Sequence, residues 1–488
     1  MRKILYLILI ITLSACQQKP ENVQQAGSLP PIYPDYIGVA IPAGIAPLNF
    51  NYAGDKSCEV LDVTVKGEDG TSIHSNGKWA DFDIEEWHKI TAQNKGKSLT
   101  VTVCAKEDNQ WIQYQDFKID VSPYELDEFG LTYRRIAPGY EVYSKMGLYQ
   151  RNLSNFEESA IFENTEVAGS CVNCHTSNKT SGEDFLFHVR GDHGATLIQK
   201  NGQAEVLNTK TDKTLGFCVY PYWHPDGKFI AFSTNTTRQS FHVVKDERIE
   251  VFDQASDLQI YNTETHELIL SEKVKGDSIW ETFPAFSSDG KTLYFCAATP
   301  QSIPENYKEV RYNLCKIDFD PATGKLGEKI DTLIWADKEG KSITFPRPSY
   351  DGKYLMYTVS DYGTFPIWHQ EADLWMLNLQ NGERRPLKEI NSKDTDSFHN
   401  WNTNSHWIVF SSRRDNGLYT RLYLASIDDK GQMTKPFLLP QKNPWKYYDK
   451  LMDSYNVPDF VTTPVHLDAA NAGRQIASDK RIDLKAKE

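Results

Sequence analysis

The sequence predicts an all-β protein: a small N-terminal β-sandwich of immunoglobulin or fibronectin type, then a β-propeller of five to six blades. Three observations carry the prediction. Among 488 residues, 25 are Tyr, 23 Phe and 11 Trp, while apolar residues at helical spacing are scarce. Short runs of alternating apolar residues are bounded by Gly, Asn, Asp and Pro, the pattern of half-buried strands. One frame recurs down the second half of the chain, and such recurrence marks a repeat architecture.

Residues 1–15 stand outside that fold. "MRKILYLILIITLSAC" has two basic residues, an apolar run and small residues before Cys16, which reads as an export signal. Leu13-Ser14-Ala15-Cys16 is similar to a bacterial lipobox, so Cys16 is the expected lipidation site and lipid the expected membrane anchor. The polar stretch 16–31 is a tether. Gln17 is not the aspartate associated with inner-membrane retention, and the tether lacks an acidic run. The expected location is therefore the outer membrane, facing the periplasm.

Residues 32–124 supply the strands of the sandwich: "YIGVAIP", "APLNFNYAG", "EVLDVTVKG", "SLTVTVCAK" and "WIQYQDFKIDV". A junction, 125–184, leads to the propeller and contains "GSCVNCHTSNKT". The propeller is expected over 185–440. "YPYWHPDGKFIAFSTN", "FPAFSSDGKTLYFCAA", "FPRPSYDGKYLMYTVS" and "FHNWNTNSHWIVFSSR" align as an aromatic, a Pro or His, an Asp-Gly-Lys turn and an alternating strand. Asp-Gly supplies the positive φ of a tight hairpin. A second hairpin follows each copy, so one unit has about four strands, the size of a blade. Trp223, Phe286, Tyr357 and Trp407 fall on core positions of these strands. Residues 441–488 read as a short amphipathic helix and a tail.

A net charge of −13 argues against nucleic acid as a partner, because phosphates need a basic face. No Gly-x-Ser-x-Gly elbow and no acid/base pair stands out, so no catalytic residue and no small-molecule substrate is assigned. Arg413, Arg414 and Arg421 sit near one blade loop, either as a polar face or as an anion pocket. Eight cysteines suit an oxidising compartment. Cys58 with Cys104, and Cys296 with Cys315, are candidate disulfides on neighbouring strands; Cys218 is left over.

Cys171, Cys174 and His175 form a CxxCH string. In an exported protein this points to haem c, with both Cys as thioethers and His175 on the iron. Cysteines three apart would share one helical face. His188, thirteen residues on, is the favoured sixth ligand; His193, Met146 and His242 are further candidates. A Cys171–Cys174 disulfide and a metal site compete with this reading. A thioredoxin-like pair lacks its βαβ context, and a zinc site lacks a second CxxC.

The Asp-Gly-Lys frames resemble the WD40-like PD40 repeats of TolB-type propellers. The order lipobox, sandwich, "SCVNCH", propeller, with "GLTYRRIAPGYEVYSKMGLYQR", "DSFHNW" and "FLLPQKNPWKYYDKL", resembles exported lipoproteins of Bacteroidetes labelled TolB-like or cytochrome c biosynthesis proteins. The resemblance implies an envelope location and a c-type haem. The expected function is electron transfer or redox sensing, with the propeller docking a redox partner. The alternative is a haem-free propeller that binds an envelope protein or glycan, with the CxxC closed as a disulfide.

Overall fold

The structure, a computed structural model, describes residues 18–138, 145–241 and 249–488. The lipobox with Cys16 and the candidate ligand His242 lie outside the described residues. Six four-stranded antiparallel units, two of them extended by a fifth strand, stand in a ring as a six-bladed propeller.

From the innermost strand outward, blade 1 is Ser454–Val461, Gly130–Ile136, Gly147–Asn152 and Glu158–Glu163. Blade 2 is Cys171–Ser177, Phe185–Arg190, Ala195–Lys200 and Gln203–Asn208. Blade 3 is Cys218–Trp223, the long pair Phe229–Phe241 and Ile249–Asn262, and Glu267–Ile269. Blades 4, 5 and 6 begin at Trp280–Phe286, Ser342–Pro348 and Asp396–Trp401. The ring closes because Ser454–Val461, from the end of the chain, becomes the inner strand of blade 1.

The propeller thus starts at residue 130 rather than 185, and the expected junction 125–184 supplies three strands of blade 1 and the inner strand of blade 2. The C-terminal stretch is also more than a helix and tail. Pro444–Lys450 and Ala469–Ala477 are helical. Ile482–Asp483 then adds in parallel to the outer edge of blade 2, and Lys485–Lys487 to that of blade 3. Both strands cover edges that would otherwise present unpaired backbone groups.

The hairpin turns form as the sequence demands. Gly227, Gly290 and Gly352 take φ near 70° (72°, 70° and 72°), and Ser405 takes 64° where the fourth copy has no glycine. Trp223, Phe286, Tyr357 and Trp407 are buried blade core.

The expected stretches of the N-terminal unit hold strands, but its single seven-stranded sheet also takes in Ser72–Gly77 and, from the expected tether, Gln24–Gln25, while a separate two-stranded ladder pairs Ile32–Tyr33 with Asn51–Tyr52. It also holds a helix, Ile84–Gln93, capped by Asp83, whose Oδ1 accepts from the Glu85 and Glu86 amides at 2.9 and 3.1 Å. This unit shares one apolar core with blades 5, 6 and 1. Polar contacts fix it there: Tyr36 Oη donates to the Leu438 carbonyl at 3.2 Å, the Thr403 amide donates to Glu128 at 2.7 Å, and Tyr124 stacks on His406 at 3.8 Å.

The expected disulfides are not formed; every cysteine among the described residues is a free thiol. Cys315 lies opposite Phe295, one rung from Cys296. A one-residue offset turns the two side chains to opposite faces, and they pack in different cores. Cys58 lies opposite Glu107 and Cys104 opposite Asp62, several rungs apart, beyond the reach of a disulfide.

Candidate functional site

The inner strand of each blade carries the same irregularity. Two residues bulge against one on the next strand, at Cys174-His175, Tyr220-Pro221, Phe283-Pro284, Phe345-Pro346, Phe398-His399 and Val457-Pro458. The first of each pair has φ between 47° and 54°, a left-handed value that side-chain-bearing residues seldom adopt. Six such residues meet at one level around the axis and line one small space. Tyr220, Phe283, Phe345 and Phe398 pack in sequence, with ring centroids 4.4, 5.7 and 5.1 Å apart. This ring plugs the channel and leaves a mouth above, where the inner strands begin, and a mouth below, at the Asp-Gly turns.

CVNCH is therefore an inner strand, Cys171–Ser177, and not a helical turn. Cys171 opens on the upper mouth, Cys174 is a member of the plug, and His175 lies on the lower side of it. The His175 ring packs near Phe185 (6.0 Å) and meets the backbone of Thr132 in blade 1. Burial holds its pKa down to about 3. His399 is its counterpart in blade 6: buried, held down to about 3, and facing the backbone of Met356 in blade 5. His175 Nε2 has no hydrogen-bond partner, but the same is true of both ring nitrogens of His399, which has no cysteine beside it.

These residues do not fit a covalently attached haem. The two sulfurs and the imidazole would have to address one porphyrin, yet the strand distributes them along the channel on both sides of the plug. The spaces beside Cys174 and His175 are about 40 and 50 Å³, room for one or two waters. His188 cannot serve as the opposite ligand. It projects from the other face of blade 2, its Nδ1 3.1 Å from Thr196 Oγ1 and its ring 5.5 Å from Phe217. His193 pairs with Asp479 at 3.0 Å on the surface. The 171–174 bridge is not formed either. Among the described residues, no group of three or more His, Cys, Asp or Glu is placed to hold a metal ion.

The upper mouth is the larger space, about 330 Å³. Its floor is Asn173, Tyr220 and Asn456; Arg134, Arg190 and Arg413 reach it from the ends of second strands in blades 1, 2 and 6. Met146, a candidate haem ligand, lines it as well. The other side is formed by the long hairpin of blade 3 (Thr237, Gln239, Ile249, Val251) and an insertion of blade 5 (Phe365, Ile367, Trp368). These two elements are pinned together behind the mouth. His369 lies 3.4 Å from Glu250 and 3.2 Å from Glu371, and Tyr362 Oη donates to Glu250 at 2.8 Å. Although burial opposes its charge, the two carboxylates raise His369 to about 9.

The arginine cluster read from the sequence divides. Arg413 faces the mouth with its guanidinium 3.7 Å over the Trp368 ring. Arg414 is paired with buried Asp396 at 2.7 Å, and Arg421 donates to the Asp453 and Leu451 carbonyls at 2.7 and 3.1 Å. Arg134 and Arg190 line the same mouth. Only the closure of the ring brings their blades beside blade 6, so no local signal marks them.

Fold and channel together define a six-bladed propeller with a plugged axis and a mouth at either end, the upper one holding Arg134, Arg190 and Arg413 among the described residues. No protein-family model and no curated protein matches the chain. Solved structures do. TolB of Acinetobacter baumannii aligns at 12% identity and TM-score 0.44, covering 78% of this chain and 85% of that one. A putative TolB of Agrobacterium tumefaciens aligns at 12% and 0.37, covering 68% and 99%. An oligogalacturonate lyase of Vibrio parahaemolyticus aligns at 11% and 0.33, covering 61% and 92%.

Proposed function

We propose that this protein is a haem-free binding propeller of the cell envelope, anchored by lipid at Cys16 and working at its upper channel mouth. One observation carries the reading: CVNCH occupies the blade frame, with His175 at the position of His399 and of four prolines. A residue pair required by the bulge needs no cofactor to explain it. The export signal and lipobox support a periplasm-facing outer-membrane location, and the partner class is an envelope protein or glycan. No helix among the described residues is long and apolar enough to cross a membrane.

The test is to produce the protein with its own secretion and haem-attachment machinery. The expected result is no Soret band and a 171–174 peptide of unmodified mass. A haem-mass adduct on that peptide would return the protein to electron transfer or redox sensing.

A further inference from the structure

The stretch 16–31, expected as a tether, is seated on the N-terminal sheet at Gln18, at Asn22 and over 24–28. Gln24–Gln25 runs parallel to Gln110–Gln113, opposite Ile112 and Gln113. The Ala26 amide donates to the Gln113 carbonyl at 2.9 Å, and the Gln115 amide to the Ser28 carbonyl at 2.8 Å. Nearer the start, Gln110 Nε2 donates to the Asn22 carbonyl at 2.8 Å. Gln18 is held twice: Asn76 Nδ2 donates to its carbonyl and Lys106 Nζ to its Oε1, both at 2.9 Å.

Asn76 and Lys106 belong to the outer face of that sheet. Leu61, Val63 and Val65 point into the core shared with the ring, so Asp62, Thr64 and Lys66 point away from it. The ladders set Asn76 beside Asp62, His74 and Thr102 beside Thr64, Thr100 beside Lys66, and Lys118 beside Thr100. Lys66, His74 and Lys118 are exposed, and the three threonines are half-buried. Such short hydroxyl and long cationic side chains suit lipid headgroups rather than acyl chains.

Cys16 stands two residues before Gln18. Two residues reach at most about 7 Å, about the depth of one headgroup layer. Free, the stretch 16–31 would span roughly 20–24 Å and let the sheet float clear of a membrane. Seated, it brings any lipid on Cys16 to the sheet itself.

We propose that the outer face of the N-terminal sheet, around Lys66, His74 and Lys118, rests on bilayer headgroups, held there by the short reach from Cys16. This rests on the lipid anchor of the reading above.

The experiment is lysine footprinting by mass spectrometry with a membrane-impermeant acylating reagent. It uses the full lipoprotein, made with its own secretion machinery, in vesicles of phosphatidylethanolamine and phosphatidylglycerol. The comparator is a Cys16→Ser protein, exported behind a signal that adds no lipid and mixed with the same vesicles. Lys329, its side chain 82% exposed on the outermost strand of blade 4, Lys325–Ile334, sets the reference rate. Relative to Lys329, Lys66 and Lys118 should react at least about fivefold more slowly in the lipoprotein, as for a face covered most of the time. Inserting about ten Gly and Ser residues before Gln18 adds roughly 15–20 Å of slack. Both rates should then recover while vesicle binding persists. Equal rates in vesicle-bound lipoprotein and Cys16→Ser protein overturn the proposal, whether both stay fast or a second copy covers both. Protection that survives the insertion overturns it too, because the short reach would not be what holds the face. A Cys16 peptide without acyl mass sinks the anchor reading itself, and this inference with it.

Discussion

His175 and His399 hold one position in two blades, and the other four blades hold proline there. The residue before each proline has φ between 48° and 54°, so the backbone at Cys174 already matches a pre-proline site of this kind. His175→Pro should therefore fold, losing about 1 kcal/mol with the Thr132 contact; thermal unfolding checks this, and collapse of the fold would contradict the equivalence. Buried His175, His188 and His399 also set an acid limit. Each is held down to about 3, so the unfolded chain takes up protons first as pH falls below its unfolded pKa near 6.5. Stability should fall from pH 6.5 toward 3, by about 2 kcal/mol per imidazole at pH 5. His369 acts in the other direction. With its folded pKa raised to about 9, its contribution is complete below 6.5 and lost as pH rises through 9. His369→Asn should lessen the loss of melting temperature between pH 6.5 and 9, a window in which Glu281, raised by burial to about 9, also weakens the fold as it ionises.

At the scale of elements, the plug and the edge strands make separate predictions. Phe283 is 1% exposed and touches both Tyr220 and Phe345. Phe283→Ala should cost about 3–5 kcal/mol by chemical denaturation. Deleting residues 478–488 strips the fifth strand from blades 2 and 3. The outcome expected is concentration-dependent association, measured by light scattering, with blade cores intact by circular dichroism. The four blades with a recognisable turn were legible in the sequence, because Asp-Gly or its Asn-Ser substitute lies a fixed distance from the aromatic. Blade 2 was hidden. Its inner strand has Cys where blades 3 to 6 have an aromatic, and its turn, 178–184, has no Asp-Gly-Lys. The clue was Cys174-His175 beside Phe398-His399, and the haem reading of the same two residues concealed it. Blade 1 could not be read locally, since Val457-Pro458 lies far along the chain from Gly130–Ile136.

The whole molecule behaves as one unit because one apolar core runs from the N-terminal sheet into blades 5, 6 and 1. Calorimetry should give a single transition for the protein, with calorimetric and van't Hoff enthalpies in agreement. Two transitions would separate the N-terminal unit from the ring. The meeting of Arg134, Arg190 and Arg413 at the upper mouth belongs to this scale too, for it exists only where blade 6 meets blades 1 and 2.

The strand that closes blade 1 carries a further consequence, in time rather than space. A chain is synthesised from its N-terminus, so Gly130–Ile136 is made long before Ser454–Val461. Until then blade 1 lacks its innermost strand and its inner edge is open to wrong partners. Contacts this distant in sequence form slowly, and open edges invite misassembly meanwhile. Completion of the ring is thus a late step, and a nearly finished propeller must wait with one edge open until that strand is delivered.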